Sequence, residues 1–130
     1  MAEKVPLKEG LFKESQDGGT LLGNRCTSCG KIFFPKAQIC FECGHEELAE
    51  VQLSRRGILY SYTIGHMPSR HFMPPYAVGY VDLPEEVRVF APLVTTEQIP
   101  LTVGMEMDLV IDKLWEEGDK EIIGYRFKPV

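Results

Sequence analysis

Two copies of the motif CxxCG, Cys26-Thr27-Ser28-Cys29-Gly30 and Cys40-Phe41-Glu42-Cys43-Gly44, constrain this chain more than any other feature. Two intervening residues let both thiolates of a tight turn converge on one ion, and the glycine that follows suits the turn because it takes positive φ at no steric cost. The paired spacing predicts one tetrahedral site with four ligands, Cys26, Cys29, Cys40 and Cys43. Its rival, a thioredoxin-like redox pair, wants a βαβ context that the sequence does not offer. Zinc is preferred because structural ribbons use such paired turns and the ion has no redox liability, while an iron centre of the rubredoxin kind uses similar turns and stays open. Four thiolates fill the coordination sphere of one Zn2+ per chain, whereas a catalytic zinc keeps a position for water or substrate. The ion is therefore expected to hold the ribbon together and to do no chemistry.

With four cysteines in two pairs and none left over, metal rather than disulfides is the natural reading in a reducing compartment. No apolar run reaches the roughly 20 residues that span a bilayer, and the opening MAEKVPLKEG lacks the apolar core of a signal peptide, so a cytoplasmic location follows by default. The 130 residues suit one domain or two very small units, and 44% hydrophobic with 25% charged residues permits an ordinary globular core. The formal charge of −5 weakens any idea of non-specific nucleic-acid binding, which draws on Lys and Arg to neutralise phosphates.

The chain reads as mainly β in three parts: a short N-terminal helical segment over 1–19, the ribbon over 20–47 and a barrel over 48–130. Leu7, Leu11 and Phe12 would share one face of a helix within Val5 to Ser15, after which Asp17-Gly18-Gly19 makes a turn and Thr20 to Arg25 a strand. Six β-type runs follow, near Leu48 to Leu53, Ile58 to Gly65, Tyr76 to Leu83, Val87 to Val94, Met105 to Ile111 and Ile122 to Phe127. In the fifth, Met105, Met107, Leu109 and Ile111 would face a core while Glu106 and Asp108 face water. Leu83 to Glu86 and Glu117 to Lys120 read as hairpin turns, and the proline-rich Met67 to Pro75 as a long connection. So many short strands in so few residues suit a small OB-type barrel better than a two-sheet sandwich.

The rest of the sequence shows no catalytic constellation. His45 follows a knuckle glycine and reads as an exposed loop residue. His66 and His71 flank Met67 to Arg70 within the long connection and read first as part of a mobile exposed loop; with Phe72 and Met73 beside them they form an adaptable tip, where contact with a partner or substrate is a fair second reading. Phe33, Phe34, Tyr60, Tyr62, Tyr76, Tyr80 and Phe90 fall mostly on strands and read as core. A barrel binding single strands would expose them in a basic groove, so the acidic balance disfavours nucleic acid.

The run Leu21 to Gly30, then Phe34-Pro35, Cys40 to Gly44, Gly57 to Thr63, Pro75 to Val78, Ala91 to Val94, Gly104 and Phe127 to Pro129 together resemble the domain of unknown function 35 family across nearly the whole chain. Two departures are Phe41 where the family usually has proline and Lys36 where arginine is common. The resemblance implies an N-terminal helix, a rubredoxin-like zinc ribbon and a C-terminal OB-fold. It further implies a non-catalytic subunit that helps a thiolase-like catalytic partner hold acyl-CoA and assemble. Arg25 with Lys31, Lys36, Arg55 and Arg56 read on their own as charge compensation for a zinc–thiolate site of net charge about −2. The resemblance favours the other reading, a cradle for the phosphates of a coenzyme A thioester. The alternative function is a stand-alone OB module for nucleic acid or another small ligand.

Overall fold

The computed structural model describes residues 3–7, 10–14, 18–67, 72, 74–95 and 100–130. In chain order its strands are β1 (Glu3–Pro6), β2 (Phe12–Lys13), β3 (Thr20–Cys26), β4 (Ile32–Phe33), β5 (Leu48–Gln52), β6 (Arg56–Gly65), β7 (Tyr76–Leu83), β8 (Val87–Leu93), β9 (Glu106–Glu117) and β10 (Lys120–Pro129). None of the described residues is helical, which corrects the expected N-terminal helix. Leu7, Leu11 and Phe12 have the spacing for one, but Pro6 and a Gly10 at φ +85° interrupt it, and tertiary pairing wins. β1 lies parallel to the first half of β10, from Glu3 opposite Lys120 to Pro6 opposite Ile123, and β2 pairs with the start of β3. Leu11 is buried between them.

Strands β6, β7 and β8 form an antiparallel meander, β8 then meets β10 in parallel, β10 pairs antiparallel with β9, and β9 returns to β6. This circuit of five strands closes a barrel in the OB order, which the sequence reading anticipated. Closure removes sheet edges, and alternation fills the inside. Leu59, Val81, Val89, Met107, Leu109 and Phe127 point inward and are essentially inaccessible, while Met105 and Ile111 pack against them from the rim. Both hairpin turns form where the sequence placed them. β9 and β10 run further than expected, as an arm to which β1 adds a third strand. A register shift on this arm sets Ile122 opposite Trp115 and Ile123 opposite Lys113, leaving Leu114 as the extra residue of a bulge.

The ribbon is a second small sheet around β3, which pairs with β4 on one side and β5 on the other. It is not a separate lobe. Leu21 of β3 and Leu53 are buried in the same core as the barrel residues, and Phe34 sets its ring edge-on to Tyr125 of β10 at 5.6 Å. Among the described residues no helix is long and apolar enough to cross a membrane.

Candidate functional site

Each knuckle is a local consequence of its sequence. The Gly30 N–H donates to the Cys26 carbonyl at 3.0 Å and the Gly44 N–H to the Cys40 carbonyl at 2.9 Å. Both glycines sit at positive φ, +84° and +76°, with open space where a Cβ would go. Backbone conformation, not crowding, therefore demands glycine there. The N–H groups of Ser28 and Cys29 point at the Cys26 sulfur, each 3.4 Å away.

The turns bring all four cysteine Sγ atoms within 4.8 Å of one another. Cys26 Sγ lies 3.6 Å from Cys43 Sγ, and Cys29 Sγ lies 3.5 Å from Cys40 Sγ. A tetrahedral Zn2+ with bonds of about 2.3 Å sets its sulfurs about 3.8 Å apart, so the cluster needs only a slight expansion to hold the ion. Cys26 and Cys40 are buried and Cys29 and Cys43 are exposed, so one flank of the site faces solvent. The first cysteine of each knuckle is the readier thiolate. The Cys29 N–H does most to hold the Cys26 thiol down to about 6, against the upward push of burial. Burial pushes the Cys40 thiol up, but the N–H groups of Cys43 and Glu42 prevail and lower it. The Lys31 N–H would lower Cys29, yet donation to the Cys40 sulfur and burial together raise its thiol to about 12. Because all four must be ionised to ligate, metal retention weakens as pH falls.

Asn24 is a structural member of the site that the sequence reading did not single out. Its side chain donates to the Ala37 carbonyl at 2.7 Å and accepts from the Ala37 N–H at 3.1 Å, tying the segment between the knuckles to β3. Its only sequence signal is a lone amide among the apolar residues of β3. Asn24→Ala strands two backbone groups, and a loss of about 1–3 kcal/mol is expected in urea unfolding of the zinc-loaded protein. An unchanged midpoint would show the tether to be dispensable.

The structure does not gather the four candidate coenzyme A cations into one bare cradle, because each already has partners. Lys31 pairs with Glu42 of the other knuckle at 3.9 Å, and Lys36 pairs with Glu50. Arg56 meets Glu106 at 3.1 Å beside a cleft of about 360 Å3 that also includes Ile58 and Asp82. Arg55 clamps ribbon to barrel: its guanidinium donates to the Gly19 carbonyl at 2.7 Å and the Leu109 carbonyl at 2.9 Å, with Asp108 3.9 Å away. His45 and His66 are exposed; His71, with the rest of 68–71 and Met73, lies outside the described residues.

The expectation that the strand aromatics are core fails on the outer face of the meander. Tyr60 is 50% and Phe90 52% exposed, with Ile58, Tyr62 and Tyr80 exposed around them. Tyr80 stacks tilted on Phe90 at 5.1 Å, and the Arg88 guanidinium lies 3.5 Å over the Tyr60 ring while paired with Asp82 at 2.7 Å. Residues of this kind recur every second position on strands whose alternate positions fill the barrel, so composition alone could not tell inside from outside. Phe33, Phe34 and Tyr76 are half-buried.

A four-cysteine knuckle pair sharing one core with a closed five-stranded barrel defines a zinc-ribbon and OB-fold protein. A family model described as the ChsH2 rubredoxin-like zinc ribbon domain matches residues 19–49, and one described as the ChsH2 C-terminal OB-fold domain matches 50–112. The chain is 33% identical over 115 residues to a DUF35 domain-containing scaffold protein of Methanocaldococcus jannaschii, covering 85% of this chain and 82% of that one. It is 38% identical over 123 residues to the benzoylsuccinyl-CoA thiolase subunit BbsA of Geobacter metallireducens, covering 92% and 83%. A solved structure titled Ltp2-ChsH2(DUF35) aldolase superposes with a TM-score of 0.68 at 29% identity, over 85% of this chain and 84% of that one. The chain belongs to the DUF35 family.

Proposed function

We propose that the protein is a non-catalytic, zinc-containing subunit of a thiolase-type acyl-CoA-processing complex, which helps the catalytic partner assemble and hold its acyl-CoA. The observation that carries this reading is the exposed aromatic face of β6, β7 and β8. A closed barrel has no structural use for Tyr60, Tyr62, Tyr80 and Phe90 in water, and aromatics clustered on a surface are the usual anchors of a protein interface. The likeness to a thiolase subunit, BbsA, and to the ChsH2 component of an aldolase points to the class of partner. One zinc held by Cys26, Cys29, Cys40 and Cys43 braces the ribbon; in the partition into 1–19, 20–47 and 48–130, the opening strand of the third part, β5, lies against β3 and so belongs with the ribbon sheet rather than the barrel. Lys31, Lys36 and Arg56, whose ion pairs are exposed, are available to the phosphates of coenzyme A, while Arg55 holds the ribbon in place for them. A cytoplasmic setting keeps the thiols reduced.

The aromatics also revive the single-strand reading, but their neighbours do not. Asp82 neutralises Arg88, the cation seated among these aromatics, so a nucleic-acid backbone crossing this face would find no basic groove among the described residues.

The test is reconstitution with the thiolase-type subunit of the same source. Tyr60→Ala and Phe90→Ala are each expected to weaken assembly about 30-fold or more, the size of one interface hot spot, without changing the melting of the isolated chain. Turnover of an acyl-CoA by the isolated chain, or salt-sensitive oligonucleotide binding tighter than partner binding, would overturn the proposal.

A further inference from the structure

We propose that a pocket on the outer surface of β7, β8 and β10 binds a small carboxylate with an apolar body, gripped by Arg126. The pocket has a volume of about 300 Å3 and lies where β7 begins and β8 ends. Val78 and Pro92, paired across the two strands, make its floor, alternating with Ala77 and Ala91, which enter the barrel core. Phe72 and Tyr76 form an aromatic wall, their rings 5.9 Å apart at 35°. Arg126 is the charged member of this lining.

The state of Arg126 sets it apart from Arg55, Arg56 and Arg88, each of which has a carboxylate partner. Among the described residues no carboxylate pairs with Arg126. One terminal nitrogen donates to the Lys113 and Leu114 carbonyls at 3.1 and 3.4 Å, where the β9 bulge exposes them, and the buried Nε of Arg126 has no hydrogen-bond partner among the described residues. The side chain is thus fixed by the bulge and, among the described residues, its positive charge has no carboxylate to balance it at the edge of the pocket. A guanidinium has five donors in a rigid fork that matches a carboxylate two bonds at a time. The apolar floor and aromatic wall reward a hydrocarbon body on the same molecule. The volume sits at the low end for ligand pockets, enough for a monoanion of phenylpropionate size and too small for a whole coenzyme A.

The test uses the isolated, zinc-loaded full chain and so stands apart from the partner reading. The probes are 3-phenylpropionate, 3-phenylpropionamide and inorganic phosphate, titrated while backbone amide resonances are followed by NMR. The acid is expected to shift the amides of Tyr76, Ala77, Leu93 and Arg126, to bind at least ten-fold more tightly than the amide or phosphate, and to lose at least ten-fold in affinity in Arg126→Gln. Arg126→Lys should fall between, because it keeps the charge and loses the fork. Equal binding of acid and amide, equal binding of phosphate, unchanged affinity in Arg126→Gln, or shifts confined to another surface would each overturn the proposal. The wild-type shift map and the acid-to-amide ratio decide the matter even where a variant does not fold.

Discussion

Cys40→Ser is expected to drop the zinc content of the purified protein from about one ion per chain to near zero and to unfold the ribbon around it. Apparent binding free energies for structural zinc are about 10–16 kcal/mol at neutral pH, and in such modules that energy is folding energy. Cys40 is buried beneath the knuckles, with its N–H donating to the His45 carbonyl and its sulfur next to Cys29, so the serine also leaves the second turn without its anchor. Amide resonances from about Cys26 to Glu47 should collapse, and those of β6 to β10 should persist, because most of the barrel core is built without the knuckles. Strong chelation of the wild-type protein should reproduce the same pattern. Full zinc content, or a ribbon that stays ordered without metal, would refute this account of what holds it.

Phe127→Ala carries the second large effect. The ring is wholly inaccessible, sits where β10 meets β8 in parallel opposite Leu93, and packs with Leu59, Met107 and Leu109. Large-to-small replacements of this kind cost about 3–5 kcal/mol, against about 5–15 kcal/mol of total stability for a typical domain. A fall of that size in denaturant unfolding, with Phe127→Leu losing much less, is the expected outcome. A loss below about 1 kcal/mol would mean that the barrel repacks around the gap. Because Leu21 of the ribbon shares this core, the zinc-loaded ribbon should lose protection from amide exchange along with the barrel.

The metal cluster was legible in the sequence because its geometry is local: two residues between cysteines and a glycine after them define a turn wherever the chain places it. The strands of the barrel were legible for a related reason, since alternation at Met105, Met107, Leu109 and Ile111 reports a buried side. What the sequence could not show was decided by distant neighbours. Leu7, Leu11 and Phe12 carry helical spacing, but the edge of β10, over a hundred positions later, takes Glu3–Pro6 as strand and β3 takes Phe12 and Lys13. Tyr60 and Phe90 look like core residues until the barrel closes with them outside. Arg55 reads in sequence as charge compensation for the zinc site or as a coenzyme A contact, and its commitment to the carbonyls of Gly19 and Leu109 depends on ribbon and barrel already being side by side.

The parallel pairing of β1 with β10 also fixes the order in which the molecule can be completed during synthesis. The cysteines of the ribbon lie close together in the chain, and β3 finds β5 soon afterwards, so metal capture can precede the rest. The barrel must wait for β9 and β10, whose pairings with β6 and β8 are long-range and correspondingly slow. β1 emerges from the ribosome before the ribbon, yet it can be seated only when Lys120 to Ile123 have left the exit tunnel. Until then β1 hangs unpaired from a metal-loaded ribbon, open to chaperones or to another strand edge, and its docking is the latch that completes the fold.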